Sequence, residues 1–375
     1  MKISSLQENL KNGLMVVSRI VGRKVNLPIL NNVKIKAHEG KIQLISTDLQ
    51  IGVVCDIRGK VEKEGEYTID SKVITEYISL LPNNKVNIEE KEGKIEIKSD
   101  NYKTVVKGMS AEEYPLIPVI DRKNKYVIKI SDLKIALSQV IFAVSTSETR
   151  IELSGVYFNF KKDGLVIAAT DSYRLAEKEI NIINKDEIEE SVIIPSKTLQ
   201  ELLRIISMVN EGEIDSESGN VEIFVSENQI LFSLKGIDLI SRLIEGQYPD
   251  YKQIIPENSK TSSIVNKNEF TRAVKAASIF SKIGVNDINL DFPIDKNKII
   301  ISSASSQTGE NITEIDSKVT GEDNGIVVNF KYLLEGINNI GGDNLKIEVT
   351  DGNTPCILKS EKDDSFIYIV MPIKQ

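Results

Sequence analysis

Lys72, Lys197 and Lys331 stand at one register in three copies of the same motif, at residues 67–81, 192–206 and 326–340. Each copy runs from a β-rich tripeptide through a polar helix start and the lysine into an amphipathic helix, as in Leu199, Leu202, Leu203 and Ile206. A cation beside a helix N-terminus adds to the partial positive charge of that end and attracts anions such as phosphate. Such attraction carries no sequence information, so it suits a surface that holds nucleic acid while letting it move. The helix residues Lys11, Lys134, Arg272 and Lys275 are further candidates for that surface, although any one of them also fits an ordinary solvated face.

Other chemistry has little material. The single histidine, His38, lies in Ala37-His38-Glu39-Gly40, a hairpin-turn pattern, and the two cysteines, Cys55 and Cys356, sit in apolar, strand-like contexts without a CxxC pair. Nucleophile systems of the Ser-His-Asp or Cys-His type and Cys/His zinc sites are thereby disfavoured. The 55 acidic residues single out no pair of the kind a glycoside hydrolase needs. The expectation is a non-enzyme with no catalytic residue, no metal and no cofactor. The net charge of −8 opposes nucleic-acid binding unless the cations are segregated, with acidic runs such as 186–190 on a different, solvated face.

The elements that position these residues also repeat. Residues 3–20, 128–144 and 263–280 each read as a short strand and a helix, aligned at Leu10/Leu14/Val17, Leu133/Leu137/Val140 and Phe270/Val274/Ala277. Strands with turn signals follow every helix, at Glu39-Gly40, Lys91-Glu92-Gly93, Lys161-Lys162-Asp163-Gly164 and Asp351-Gly352. Proline-bearing joints, Tyr114-Pro115-Leu116-Ile117-Pro118 and 248–256, separate the units. The fold class is therefore α+β: three tandem domains, 1–120, 126–252 and 253–375, each with antiparallel sheet and helices on one face. A chain with similar head and tail either stacks as an open array or pairs head-to-tail, two copies closing with six quasi-equivalent domains. Composition (41% hydrophobic, 27% charged), short apolar runs and an N-terminus without a signal-peptide core point to a cytoplasmic globular protein.

Several segments, in this order and spacing, resemble the bacterial DNA polymerase III β subunit (sliding-clamp) family over essentially the full length. They are Asn26-Leu27-Pro28-Ile29-Leu30, Ser46-Thr47-Asp48-Leu49, Ala169-Thr170-Asp171-Ser172-Tyr173-Arg174-Leu175-Ala176, Tyr248-Pro249-Asp250-Tyr251 and Val370-Met371-Pro372. The resemblance implies a head-to-tail homodimeric ring of pseudo-six-fold symmetry, helices lining the hole and sheets outside. It implies sequence-independent encirclement of duplex DNA, loading by an ATP-driven clamp loader, and tethering of polymerase and other replication and repair proteins. Cytoplasmic location, with nucleoid association during replication, goes with that role.

Three sets of residues follow from it. Arg23 and Lys24, in the loop after the first helix, join Lys72, Lys197 and Lys331 as DNA-binding candidates; Lys24 falls where the family places a basic DNA contact. A hydrophobic cleft for extended peptides is implied at Leu153, Thr170, Ser172, Tyr173, Arg174, Leu175, Pro249, Gln253, Ile254, Val370, Met371, Pro372 and Ile373. A subunit interface is implied between Thr104 and Val106 on an edge strand and Ile279 and Phe280 at a helix end. The chain departs from the family at Ser172 (usually glycine), Tyr173 (often histidine), Gln253 (frequently arginine) and the ending Ile373-Lys374-Gln375, which leaves peptide preference open. The rival reading is a repeat-built protein-interaction scaffold that does not encircle DNA; it accounts for the modules and the acidity but not for the recurrent lysines.

Overall fold

The computed structural model describes residues 1–21, 27–147, 149–162, 164–184, 189–208 and 219–374. Each copy of the two sequence motifs becomes a helix. The first motif set gives α1 (Gln7–Val17), α3 (Ile130–Val140) and α5 (Lys267–Ser278), and the lysine motif gives α2 (Ser71–Leu80), α4 (Ser196–Met208) and α6 (Phe330–Asn339). The aligned apolar faces are all inside: Leu10, Leu14 and Val17 on α1, Leu133, Leu137 and Val140 on α3, Phe270, Val274 and Ala277 on α5. Each such side chain contributes about 1.5–3 kcal/mol through burial when it is Leu, Val or Phe sized. On α4 the buried face is Leu199, Leu202, Ile205 and Ile206, so Ile205 takes the place expected for Leu203, which is half-buried.

The three repeats share one plan: strand, helix, a run of strands, helix, three strands. All strand pairings that join them are antiparallel. In the third repeat one thirteen-residue strand, Gly309–Gly321, pairs first with Lys298–Ser305 and then with Thr261–Asn266. The first repeat follows the same path but breaks it at Arg58 into Ile51–Ile57 and Gly59–Lys63. A recurrent polar tie fixes helix to sheet: the Ser46 hydroxyl donates to the Val17 carbonyl at 2.7 Å, and Ser303 donates to Ala277 at 2.5 Å.

The three repeats are distributed over two compact units. One comprises Met1–Ser131 and Gln200–Leu243 and contains a thirteen-stranded sheet; the other comprises Asp132–Leu199 and Ile244–Gln375 and contains a twelve-stranded sheet. The reason is backbone pairing across the repeat borders. Ile237–Arg242, closing the middle repeat, pairs with Ile51–Ile57 of the first, with Ser241 opposite Ile51. Phe366–Val370, closing the third repeat, pairs with Arg174–Asn181 of the middle one, with Val370 opposite Arg174. The middle repeat thus gives half of its strands to each unit, and each cross-repeat pairing covers two strand edges that would otherwise be open.

Both cysteines are buried thiols, and burial pushes each up to about 12, so they stay protonated and inert. His38 is exposed at its hairpin turn, with Nδ1 3.1 Å from a Glu64 carboxylate oxygen. Among the described residues no helix is long and apolar enough to cross a membrane.

Candidate functional site

The site begins with a turn that its own side chains build. Thr170 ends one strand and Arg174 begins the next. The Asp171 carboxylate accepts from the Tyr173 and Arg174 amides at 3.0 and 3.1 Å, and the Thr170 hydroxyl donates to the Arg174 carbonyl at 2.6 Å. This Asx-type turn forces Ser172 to a φ of +79°, the region where glycine is at ease. It also projects Tyr173 outward, 62% exposed, and turns Arg174 inward.

Arg174 is the most heavily engaged cation of the site. It reaches Asp171 at 3.0 Å, the Phe142 carbonyl at 3.0 Å and the Glu335 carboxylate, and it lies over the rings of Tyr332 (4.9 Å) and Phe142 (5.4 Å). Burial alone would depress its guanidinium; the hydrogen bond to Glu335 and the neighbouring carboxylate and phenol groups outweigh that and hold its pKa raised. Tyr173 stacks on Tyr332 with centroids 6.2 Å apart, so the outward tyrosine and the inward arginine share one aromatic partner from α6.

The C-terminal segment closes one side. The Met371 amide donates to the Tyr173 carbonyl at 2.9 Å, Pro372 bridges to Val328, and the Ile373 amide donates to the Val327 carbonyl at 2.8 Å. The floor is an apolar cluster that includes Leu153, Leu175, Ile193, Tyr248, Tyr251 and Ile369, with Ile254 packed against it. Tyr248 anchors the joint by accepting from the Thr170 amide at 3.1 Å and stacking on Tyr157 at 5.0 Å. Tyr251 donates to Glu177; burial first, then that carboxylate, pushes its phenol well above the usual range.

All thirteen residues expected at the cleft fall in one compact unit. Leu153, Thr170, Arg174, Leu175 and Val370 are buried, whereas Ser172, Tyr173 and Gln253 are exposed and Pro249, Ile254, Met371, Pro372 and Ile373 are half-buried. Gln253 is turned to Asp250, donating at 2.9 Å. Sequence reasoning missed Tyr332, Glu335 and Phe142, which nothing local marks as partners of Arg174. It gave Tyr248 and Tyr251 no role at the site, reading them as part of a joint and of a family segment, although their aromatic spacing within 248–251 was a usable signal for a packed floor.

Lys72, Lys197 and Lys331 are each the second residue of their helix, α2, α4 and α6, and each is exposed. Asp70 and Asn329 cap α2 and α6 through their side chains, leaving the lysine to project from the first turn. Lys72 is 78% exposed and only 3.9 Å from Glu76, a loose pairing. Arg272 and Lys275 are exposed on α5, and Lys11 and Lys134 are half-buried. Arg23 and Lys24 lie outside the described residues.

Thr104 and Val106 sit on Tyr102–Met109, which pairs with Lys94–Ser99 along one side but with Gly65–Asp70 only at Met109 and Gly108. Among the described residues the rest of that side is open. Ile279, just past α5, is 69% exposed and Phe280 half-buried, so Ile279 is not core. A second open edge escaped sequence reasoning: residues 309–316 pair on one side only, with Ile312 exposed. Its signal was a long strand that places Glu310, Ile312, Glu314 and Asp316 on one exposed face, opposite Ile315.

Comparison with known proteins comes to the same architecture. Models of the N-terminal, central and C-terminal domains of the DNA polymerase III beta subunit match residues 1–118, 127–250 and 252–374. The chain is 31% identical to a beta sliding clamp of Staphylococcus epidermidis, covering 97% of this chain and 96% of that one. It is 29% identical to the beta sliding clamp of Bacillus subtilis over the whole of both. The crystal structure of the DNA polymerase sliding clamp from Bacillus subtilis superposes with a TM-score of 0.92 at 29% identity, covering 100% of this chain and 99% of that one. A DNA polymerase III beta subunit structure from Eubacterium rectale gives 0.91 at 26%, covering both chains in full.

Proposed function

Because the chain belongs to the DNA polymerase III beta subunit family, the sliding clamps, we propose that it works as the family's fold allows: two copies close head-to-tail around duplex DNA and slide on it. It is a processivity factor of DNA replication. The clamp is an accessory subunit with no catalytic site of its own. Its three domains divide near residues 120 and 252.

The observation that carries the DNA reading is the recurrence of Lys72, Lys197 and Lys331 at the exposed first turn of one helix per repeat. Each sums with the positive end of its helix, and together with Arg23 and Lys24 they give duplex phosphates a cationic wall without base contacts. A closed ring holds DNA by topology, so the wall needs little binding free energy, and a net charge of −8 is compatible with it. The anionic groups then serve the outer sheets.

Ring closure is supported by the two open edges. Tyr102–Met109 carries Lys103 and Lys107, and the open stretch 309–316 carries Glu310, Glu314 and Asp316, so antiparallel addition of one copy's edge to the other's matches cation to anion and covers both edges. Thr104 and Val106 then meet Ile279 and Phe280. Polymerase, clamp loader and repair proteins dock through extended peptides at the cleft of Tyr173, Arg174, Ile254, Met371 and Pro372, where the stacked tyrosines and the adaptable Met371 suit apolar anchors. Reversing the three lysines to Glu together is expected to abolish loading onto primed circular DNA while sedimentation still shows the dimer. Undiminished loading would remove them from the DNA face.

A further inference from the structure

The Thr-Asp turn that builds the cleft has a twin in the first repeat. Asp48 accepts from the Gln50 and Ile51 amides at 3.0 and 2.8 Å, the Thr47 hydroxyl donates to the Ile51 carbonyl at 2.8 Å, and Leu49 stands at a φ of +77° where Ser172 has +79°. The neighbouring strand arrives in the same register: the Arg242 amide donates to Gln50 as the Met371 amide donates to Tyr173. Tyr114 answers to Tyr248, donating to the Asn32 carbonyl at 3.1 Å, and a proline follows each. The twin differs where it matters for binding. Ile51 replaces Arg174, and the linker 115–120 runs between two hollows of about 290 and 240 Å³, with Ile117 packed on the core below.

Two further observations give the groove a ligand. Leu116 and Val119 are 90% and 98% exposed, an unusual cost for large apolar residues in a stiff linker, and Leu116 lines one hollow together with Leu49. The charges are unbalanced as well. Asp238 is held by Arg122 at 2.5 Å and Glu66 by Lys34, whereas among the described residues no acid engages Lys36 or Arg242, which border the two hollows. An acidic chain therefore leaves two free cations at an apolar groove.

We propose that this groove is a second docking site, which takes an extended acidic peptide with an apolar anchor on each side of the linker. It rests on reading the Tyr173 cleft as a peptide site, since the shared turn carries the analogy. The test is hydrogen-exchange mass spectrometry on the intact chain with a short synthetic peptide of two leucines two positions apart flanked by glutamates, and with its glutamine-flanked version. The acidic peptide is expected to protect residues 45–54, 115–120 and 237–242. Binding there should weaken about ten-fold for the glutamine version and for the Lys36→Glu, Arg242→Glu chain, while protection at 170–175 and 367–373 persists. Absence of protection at 115–120, equal protection by both peptides, or a Lys36→Glu, Arg242→Glu chain that loses self-association instead of peptide would each overturn the proposal. Protection at 115–120 alone would uphold it and remove the Tyr173 cleft instead.

Discussion

Arg174 shows how one residue ties the cleft to the fold. Its guanidinium is nearly buried against Asp171, which is itself nearly buried, and it also meets the half-exposed Glu335. Removing one partner of a buried ion pair leaves the other's desolvation uncompensated. Arg174→Ala is therefore expected to lower stability by about 3 kcal/mol, and Glu335→Gln by much less because water screens that carboxylate. Chemical unfolding of both variants checks this; equal losses would mean that Asp171 does not depend on the arginine. The turn at Arg174 was legible because Thr-Asp-Ser-Tyr-Arg is a local turn pattern, and the structure forms it; the residue's place in a peptide cleft comes from the family resemblance alone. Its partner Glu335 lies 161 positions away, and no periodicity links them. Ser172 was legible as a departure from the family's glycine, and its φ of +79° gives the physical meaning of that preference.

At the scale of elements, the helices were the most legible feature, because apolar spacing and polar starts act locally. The exception on α4, Ile205 for Leu203, is a rotation of the buried face set by tertiary packing. The open strand 309–316 was illegible for a different reason: its alternation describes a strand but not which side lacks a neighbour. Helix α6 supplies a prediction. Gly336 lies flat on Tyr368, where an added Cβ would fall 2.0 Å from Cε1, and Tyr368 is fully buried with its hydroxyl on the Tyr332 carbonyl at 2.8 Å. In an exposed helix Gly→Ala adds about 1 kcal/mol of stability. Here overpacking is expected to reverse the sign, to a loss of about 1–3 kcal/mol. A displaced Tyr368 is also expected to shift its strand and, if the proposed peptide site is right, to lower peptide affinity at Met371. A thermal melt showing Gly336→Ala as stable as the parent would contradict this packing account.

At the scale of the whole molecule, three sequence repeats become two contact units, since the middle repeat shares its strands between them. Repeat count was legible because it is written as self-similarity; the sharing was not, because strand pairing between repeats leaves no local mark. What remains is closure. The central claim is that two chains, joined through Thr104 and Val106 against Ile279 and Phe280, enclose duplex DNA that three repeated lysines attract without gripping. The most direct measurement is retention of loaded protein on nicked circular DNA before and after a single linearising cut, for the parent chain and for an Ile279→Asp, Phe280→Asp chain. The parent should stay on the circle and run off the cut molecule, and the substituted chain should be a folded monomer retained on neither. Equal retention of the parent on circle and line, or a substituted chain that still holds the circle, would contradict enclosure by this interface.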